Sequence, residues 1–600
     1  RKPERVKARA MEILEKLKIV SKACQNVQYL SGGEKQRVAI ARALGMDPKK
    51  NQGETMIEVY VAKNIITMNP SLPEATAIAV RDGEILEVGS LESLSPWLIR
   101  DDYQIIETFQ DCVIVPGFID PHLHPAMAAV ILPMHFITAM PWTLPWCEVP
   151  ASLTPHAFDQ EMQRISATVD DEILIFWGHH DLWHGTMHRD RLDAIDADRP
   201  IVAWNRSFHE LHMNAACMAQ LGITEASISG RAQIDFEAGR FFENGLAFAI
   251  QKLNPYILSD TRFTLGLERL KQVVHAGGHT TIGDLAVGLF DFERELATTV
   301  KIFERDDTPF RIEQVPHGAV ITHNRSFEET QALLSDLSAN SSHRLNFRAR
   351  VKLFSDGAFF SQLAQLLSPG YLDGHVGEWL TAPEVLHEHI LNFWRAGYQI
   401  HVHVTGDMGV EVALDGLAKA QAEHPRLLHG FTLEHMGYAT PEQIERAQAL
   451  GASVSANIYY LHELSGRYAE LSVGYERAST MGRLKTCFDA GITTALHSDF
   501  TMAPAQPLLN MWVAVNRINA QGEQMGPAEC LTPNQALAAV TLNAAKILGI
   551  ETFTGSLRAG KRADLTVLSD SPLTDDPMRI KDIRVVATVF EGSVAPIETA

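Results

Sequence analysis

The middle of the chain repeats one pattern, in which an apolar run ends in histidine, lysine or aspartate and then meets a glycine or proline turn. The runs that carry it are CVIVPGFIDPHLHP, FRARVKLFSDG, YQIHVHVTGD, FTLEHMG and ITTALHSDF. Helical patterns lie between them, and strands that alternate with helices favour a parallel sheet with right-handed crossovers. In a (β/α)8 barrel the catalytic side chains follow the carboxyl ends of several strands. The pattern therefore predicts an α/β fold built on a (β/α)8 TIM barrel.

Short β runs stand at both ends of this middle part, and turn residues separate them. They lie at 57–67, 77–90, 555–569 and 583–595. We therefore expect a small β-sandwich domain to which both ends of residues 51–600 contribute. Its two segments would be 51–114 and 540–600, with the barrel at 115–539.

The barrel segment is longer than a plain barrel requires. About 230 residues separate His122 from Lys352, whereas three βα units need only about 30 residues each. A large insertion over the mouth of the barrel is therefore expected at roughly 135–260. Its aromatic residues would either line an apolar substrate pocket or belong to ordinary core packing. They are Trp177, Trp183, Trp204, Phe208, Phe241 and Phe242.

Charge and composition argue against several classes of protein. The formal net charge is −21, which opposes binding to nucleic acid or to an anionic membrane. Six cysteines without a Cys-x-x-Cys pair favour a reducing compartment. The most apolar window, 126–146, contains three prolines and a histidine, so barrel wall is a better interpretation than a membrane span. Since the first residues show no apolar signal core, we expect a cytoplasmic protein. The expected partner is a small-molecule substrate.

Two histidine pairs have the spacing of metal ligands. Side chains alternate along an extended strand, so His122 and His124 share one face, as do His401 and His403. A single His-x-His pair is a weak signal, because each group alone could be an ordinary core residue. Further groups that end apolar runs are Lys352, His435 and Asp499. Five such places in chain order are hard to explain as coincidence.

The ordered set resembles the amidohydrolase superfamily, and most of all its branch of N-substituted formamide deformylase and related large amidohydrolases. The similarity covers roughly residues 56–595. Its motifs include AIAVRDGEILEVG, PGFIDPHLH, RDRLDAIDADRPIVAWNRSFHELHMNAA, GGHTTIGD, VKLFSDGAF, HVHVTGD, LEHM, HSD and TLNAAKILGIETFTGSLRAGKRADLTVL. The resemblance implies a metal-dependent hydrolase that cleaves an amide-type C–N bond, in an N-substituted formamide or an N-acyl compound.

The same resemblance implies a set of metal ligands. They are His122, His124, Lys352, His403, His435 and Asp499. Lys352 matches a lysine that is carboxylated by CO₂ in many relatives, where its carbamate bridges two metals. This chain departs from the common pattern at Met436 and at the additional His401, so the number of ions, one or two, stays open.

The resemblance also implies the chemistry. Imidazoles and carboxylates suit Zn²⁺, which lowers the pKa of a bound water to about 7. Asp499 would take the proton as this water attacks a carbonyl, and would return it to the departing nitrogen. His209 matches a pocket histidine that would bind the substrate or the developing oxyanion. The oligomeric state stays open, with a homodimer as one option.

Other functions also stay open. A deaminase or an esterase of the same superfamily is the nearest alternative, although deaminating relatives usually carry glutamate where this chain has Gly406. A non-catalytic scaffold is another. Residues 1–50 resemble a fragment of an ABC transporter ATPase, because LSGGEKQR at 30–37 matches its signature motif. This suggests a nucleotide-binding or transporter-associated module, but the phosphate loop G-x-x-x-x-G-K-[ST] is missing, so we expect a non-catalytic fragment.

Overall fold

The computed structural model describes residues 56–99 and 101–597. The predicted ATPase-like fragment at residues 1–50 lies outside the described residues. Within the described ranges, no helix combines the length and the apolar composition that a bilayer crossing needs.

Strands from both ends of the described chain pair in one β-sheet of eight strands. Val113–Pro116 pairs in parallel with Ile57–Ile66 and antiparallel with Leu565–Leu568. One continuous ladder joins the strands, so the predicted sandwich of two sheets stays a prediction. The eight strands are Ile57–Ile66, Glu74–Arg81, Glu84–Gly89, Tyr103–Ile106, Val113–Pro116, Leu565–Leu568, Val585–Phe590 and Ser593–Pro596.

Turn chemistry and burial explain why this sheet forms. Its second and third strands turn at Asp82 and Gly83, whose φ angles of 54° and 77° suit a type I′ hairpin. In the first strand the adjacent residues Val59 and Tyr60 point to opposite faces and enter two different apolar clusters. Apolar packing therefore covers both faces of the sheet.

Nine parallel strands form two further sheets in the described part of the chain. In the four-stranded sheet, His279–Val287 pairs with Phe118–Leu123 on one side and with Arg311–Pro316 on the other. The five-stranded sheet follows chain order from Arg350–Phe354 to Thr494–Leu496. The nine strands are Phe118–Leu123, His279–Val287, Arg311–Pro316, Leu345–Phe347, Arg350–Phe354, Gln399–Val404, Thr432–His435, Ser453–Ala456 and Thr494–Leu496.

The edges of the two parallel sheets approach each other at two places. An isolated parallel bridge joins His317, which follows the strand Arg311–Pro316, to Lys352. At the other edge, the Asp499 amide donates a hydrogen bond of 2.9 Å to the carbonyl oxygen of His122. Within residues 101–597, neither junction extends into a ladder of several residue pairs. A closed barrel therefore stays a prediction.

A six-stranded sheet lies between the first two parallel strands in sequence. Ile201–Asn205 pairs in parallel with Leu174–His179 and antiparallel with Glu210–Met213. Apolar residues on one of its faces, such as Trp177 and Trp204, join the large core that also contains the parallel strands, so the insertion packs directly on them. The remaining strands of this region are His135–Phe136, Ile234–Asp235 and Arg240–Phe242, with a separate hairpin of Trp142–Leu144 and Cys147–Val149.

Helices connect the parallel strands, and their ends follow ordinary capping rules. Pro441–Leu450 begins with a capping box of Thr440 and Gln443 and ends at Gly451, whose φ is 75°. The α-helices of the described chain are Leu91–Leu98, Pro125–Ile131, Pro155–Ser166, Asp181–His184, Arg189–Asp193, Ala215–Gln220, Glu225–Ile228, Asn244–Ile257, Asp260–Ala276, Phe292–Phe303, Gly318–Thr322, Phe327–Ala339, Pro383–Arg395, Asp407–Glu423, Pro441–Leu450, Tyr459–Leu471, Tyr475–Ala478, Leu484–Asp489, Pro507–Asn516, Pro533–Ala539 and Leu542–Ile547. The 3-10 helices are Glu107–Phe109, Pro527–Glu529 and Pro577–Asp582.

A buried ion pair joins the eight-stranded sheet to the parallel strands. Arg311 Nη1 lies 2.6 Å from Asp564 Oδ2, and both side chains are buried. The Thr554 hydroxyl also donates a hydrogen bond to Asp564, at 3.0 Å. Charges that are buried this deeply need such partners to compensate for lost hydration. The pair therefore helps to hold the two parts of the fold in one orientation.

Candidate metal centre

Three of the predicted ligands meet at the carboxyl ends of the parallel strands. His124 Nε2 lies 3.3 Å from His122 Nε2 and 3.2 Å from Asp499 Oδ1. The third separation, from His122 Nε2 to Asp499 Oδ1, is 3.7 Å. All three side chains are buried. The backbone hydrogen bond between Asp499 and His122 holds the two strand ends together, so the group is assembled by the sheet edges themselves.

These separations fit a bound divalent ion. Zinc in a tetrahedral site has ligand bonds of about 2.0–2.2 Å, so its ligand atoms lie roughly 3.3–3.6 Å apart. The three separations of 3.2, 3.3 and 3.7 Å are close to that value. Imidazole nitrogens and a carboxylate oxygen are also the donor atoms that zinc accepts. The residues therefore fit a divalent metal.

The other predicted ligands lie beside these three. The His435 ring centre is 4.6 Å from that of His122 and 4.5 Å from that of His403. His435 Nδ1 lies 3.6 Å from Asp499 Oδ2. Lys352 Nζ lies 3.5 Å from His122 Nε2. The structure thus brings all six predicted ligands into one cluster.

Two ligands of the cluster have a left-handed backbone. The φ angles of His435 and Asp499 are 70° and 51°, a region that costs free energy for residues with a side chain. At His435 this conformation interrupts the alternation of side chains along the strand. The adjacent residues Glu434 and His435 therefore both reach the surroundings of His122. Strain of this kind is typical of functional sites.

The charge state of the cluster suits metal binding. Burial and the neighbouring Lys352 ammonium hold the pKa of His122 well below its usual range. Burial likewise lowers the pKa of His403 and His435 well below the ordinary value. These imidazoles are therefore neutral near pH 7, which is the form that binds a metal. Burial lowers the pKa of Lys352 to about 8.

A buried carboxylate that the sequence analysis did not select holds two of the histidines. Glu434 Oε2 lies 2.7 Å from His122 Nδ1, and Glu434 Oε1 lies 2.6 Å from His401 Nδ1. A metal-binding histidine commonly gives its second ring N–H to a carboxylate, which fixes the ring and its tautomer. This contact leaves His122 Nε2 for the metal. A regular strand would place Glu434 on the face opposite His435, so the strand spacing gave no signal for Glu434.

Two further histidines that the sequence analysis missed border the cluster. The His497 ring stacks on that of His122, with centres 4.4 Å apart and planes 12° apart. Ring nitrogens of His122, His435 and His497 also lie within 4.8 Å of one another, so these three histidines form a second group that could hold an ion. The His317 ring stacks on Phe354 at 4.6 Å. The HSD motif contained the signal for His497.

His209 reaches the cluster from the insertion. Its Nδ1 lies 3.0 Å from Glu243 Oε2, and 25% of its side chain is exposed. Burial lowers the pKa of His209, but the Glu243 carboxylate and the charge of Asp499 outweigh it, so the pKa is raised overall. His209 in turn contributes to the lowered pKa of His403. These mutual effects indicate that His209 lies near Asp499 and His403.

Comparison with known proteins agrees with this geometry. The chain matches the amidohydrolase family over residues 110–596 and belongs to that family. It is 25% identical over 557 residues to YtcJ of Bacillus subtilis, covering 88% of this chain and 97% of YtcJ. It is 24% identical over 567 residues to N-substituted formamide deformylase of Arthrobacter pascens, covering 89% and 97% of the two chains. The predicted superfamily is therefore confirmed.

The fold is also similar to that of a solved protein. The crystal structure of a metal-dependent hydrolase from Pyrococcus horikoshii OT3 superimposes with a TM-score of 0.67 at 20% sequence identity. The match covers 87% of this chain and 99% of the other. The chain therefore has an α/β fold of the metal-dependent hydrolase type.

Proposed function

We propose that this enzyme hydrolyses an amide-type C–N bond, other than a peptide bond, in a small molecule. The observation that carries the proposal is the convergence of His122, His124 and Asp499, whose ligand atoms lie 3.2–3.7 Å apart. The similarity to an N-substituted formamide deformylase supports the choice of bond. An N-substituted formamide or an N-acyl compound is the proposed substrate.

The proposed frame of the site is a closed (β/α)8 barrel. The bridge between His317 and Lys352 and the hydrogen bond between Asp499 and His122 support closure of the two parallel sheets at both edges. In such a barrel the carboxyl ends of the strands surround one site, which is where the catalytic groups belong.

The proposed metal is zinc, as one or two ions. His122, His124 and Asp499 would hold the first, and His403 and His435 the second. A bound ion of this kind acidifies a water molecule to a pKa of about 7 and polarises a carbonyl group. A carbamate on Lys352 would supply oxygens for both positions. Burial favours it, because carbamates form from the neutral amine and CO₂.

Two side chains are assigned the proton transfer and the binding of the carbonyl oxygen. Asp499 accepts the proton of the attacking water and delivers it to the departing nitrogen. His209 binds the carbonyl oxygen, where negative charge develops. Phe208 packs against Phe290 with ring centres 5.9 Å apart, and Phe354 packs against His403 at 5.5 Å. The Phe354 ring thus shields one side of His403 from bulk water.

Metal analysis combined with a substrate panel tests the proposal. Purified protein should hold about one to two equivalents of a divalent ion, and a chelator should abolish activity that added Zn²⁺ restores. The panel contains N-substituted formamides, N-acyl amino acids, cyclic amides and esters. Full activity of metal-free protein would contradict the metal assignment. Turnover of esters alone would contradict the choice of bond.

A further inference from the structure

His209 and Glu243 flank two paired strands of the insertion. Glu210–Met213 and Arg240–Phe242 run antiparallel, and Glu210 lies opposite Phe242. The residue before the first strand therefore meets the residue after the second. The Glu243 amide donates a hydrogen bond of 3.1 Å to the carbonyl oxygen of His209. The ladder thus sets the relative position of the two backbones.

The two side chains are paired along one edge of the imidazole. Glu243 Oε1 and Oε2 lie 3.2 and 3.0 Å from His209 Nδ1. Only 5% of the Glu243 side chain is exposed, against 25% for His209. No hydrogen bond from the described residues reaches Nε2 of His209. The Nδ1 edge therefore faces protein, and the Nε2 edge is left for a ligand.

The backbone on both sides of this pair is strained. Phe208 and Glu243 have φ angles of 66° and 45°, in the left-handed region that side chains rarely adopt. The Phe208 ring stacks on Trp204, with centres 4.7 Å apart, which anchors the strained turn in the core. Strained residues persist in a fold when the surrounding structure requires a particular geometry. Here the geometry that results is the orientation of His209.

We propose that Glu243 is a positioning residue that holds the Nδ1 proton of His209 and presents Nε2 to the metal centre, as a donor to the substrate's carbonyl oxygen. This inference rests on the proposed function. In the imidazolium form Nε2–H is a charge-assisted donor, and a carboxylate at Nδ1 stabilises that form. The charged or titratable groups around His209 are Glu243, Asp499 and His403.

The pairing also limits the kind of group that His209 binds. An imidazolium already matched by the Glu243 carboxylate adds no net positive charge to the cleft. Its Nε2–H therefore suits the uncharged carbonyl of an amide, on which negative charge appears only during attack, better than a free carboxylate.

The first test measures the protonation of His209 without using turnover. Diethyl pyrocarbonate acylates the neutral imidazole, and mass spectrometry follows the peptide that contains His209 as a function of pH in metal-loaded protein. In the wild type the midpoint should lie above about 6.5, the ordinary histidine value. Glu243→Gln removes the anion that stabilises the imidazolium, so its midpoint should fall by about one pH unit.

A matched control is available on the same sheet. Glu210 lies 2.6 Å from Arg240 and 3.7 Å from His212, so Glu210→Gln also removes a buried carboxylate beside a histidine. It should leave the acylation midpoint of His209 unchanged. Glu243→Asp retains the charge and should recover part of the wild-type behaviour.

The second test uses an amide that the wild type hydrolyses. Glu243→Gln should lower kcat/KM at pH 7 by about tenfold or more, with unchanged metal content and unchanged Tm. The alkaline limb of its pH–rate profile should move to lower pH, because the donor is lost earlier. Glu210→Gln should show neither change.

Two results would overturn the inference. One is an acylation midpoint that Glu243→Gln does not move. The other is a midpoint that moves while kcat/KM and the pH profile stay as in the wild type. If the wild type hydrolyses no member of the panel, the proposed function fails. The acylation midpoint then still decides whether Glu243 controls the proton of His209.

Discussion

Glu434 Oε2 lies 2.7 Å from His122 Nδ1, and both side chains are completely buried. The second carboxylate oxygen lies 2.6 Å from His401 Nδ1. The Glu434 carboxylate thus fixes the ring of His122, a proposed metal ligand, and connects it to His401. This contact joins residues that are 312 positions apart in the chain.

Glu434→Gln should weaken metal binding while leaving the ligands in place. Loss of an outer hydrogen-bond partner typically lowers metal affinity by about 10- to 100-fold. Competition with a chromogenic chelator measures the affinity. Glu411→Gln, at a half-exposed carboxylate beside Arg446, is the control and should bind metal as the wild type does. Equal affinities of all three proteins would contradict the role of Glu434.

His497→Phe should retain the metal. We expect His497 to support His122 by ring stacking, and phenylalanine preserves that contact. His124→Ala removes a proposed ligand and should lose most of the bound metal. Elemental analysis of the purified variants measures this difference. Loss of one equivalent from His497→Phe would show that His497 is itself a ligand.

Metal loading should depend on pH through Lys352. Its pKa is lowered to about 8 by burial, so the neutral amine increases as the pH rises through that value. The neutral amine and CO₂ form the carbamate with release of one proton, so carbamate, and with it the second metal equivalent, should be more abundant at about pH 8.5 than at about pH 6.5 when dissolved CO₂ and metal are constant. Carbon-13 NMR after addition of labelled bicarbonate detects the carbamate. Lys352→Ala should lose this signal and one metal equivalent, and a signal that persists in the variant would contradict the assignment.

Arg206→Met should destabilise the protein. The guanidinium lies 3.1 Å from Glu463, and both side chains are 1% exposed. It also donates hydrogen bonds to the carbonyl oxygens of Thr501 and Met502, so it ties the insertion to the loop after Asp499. A buried Glu463 without its partner should cost about 3–5 kcal/mol.

Thermal unfolding measures this effect. The double variant Arg206→Met with Glu463→Leu leaves no unpaired charge and should recover part of the loss. Arg446→Met, at a partly exposed arginine that pairs with Glu411 and Asp415, is the control and should cost less than about 1 kcal/mol. A loss in Arg206→Met no larger than in this control would contradict the structural role.

The identity of the ligands was accessible from local sequence patterns. His122 and His124 share a face because strands have a period of two, and Asp499 follows an apolar run. The ordered motifs also identified the superfamily, since each motif is a short segment that is recognisable on its own. The sequence analysis did not select Glu434 and His497, because each lies within two residues of a predicted ligand, His435 or Asp499. It did not select Glu243, because that residue lies outside the recognised motifs.

The sequence by itself determined the class of protein and the order of the strand-end groups, because both depend on contacts within a few residues. The tertiary structure alone decided which further side chains contact these groups. Glu434 and His435 are adjacent and would point to opposite faces of a regular strand, yet the left-handed backbone of His435 brings both to His122. Likewise, Glu243 meets His209 only because the two strands beside them pair. Such contacts depend on strand register and on local strain, which arise from packing of the whole core.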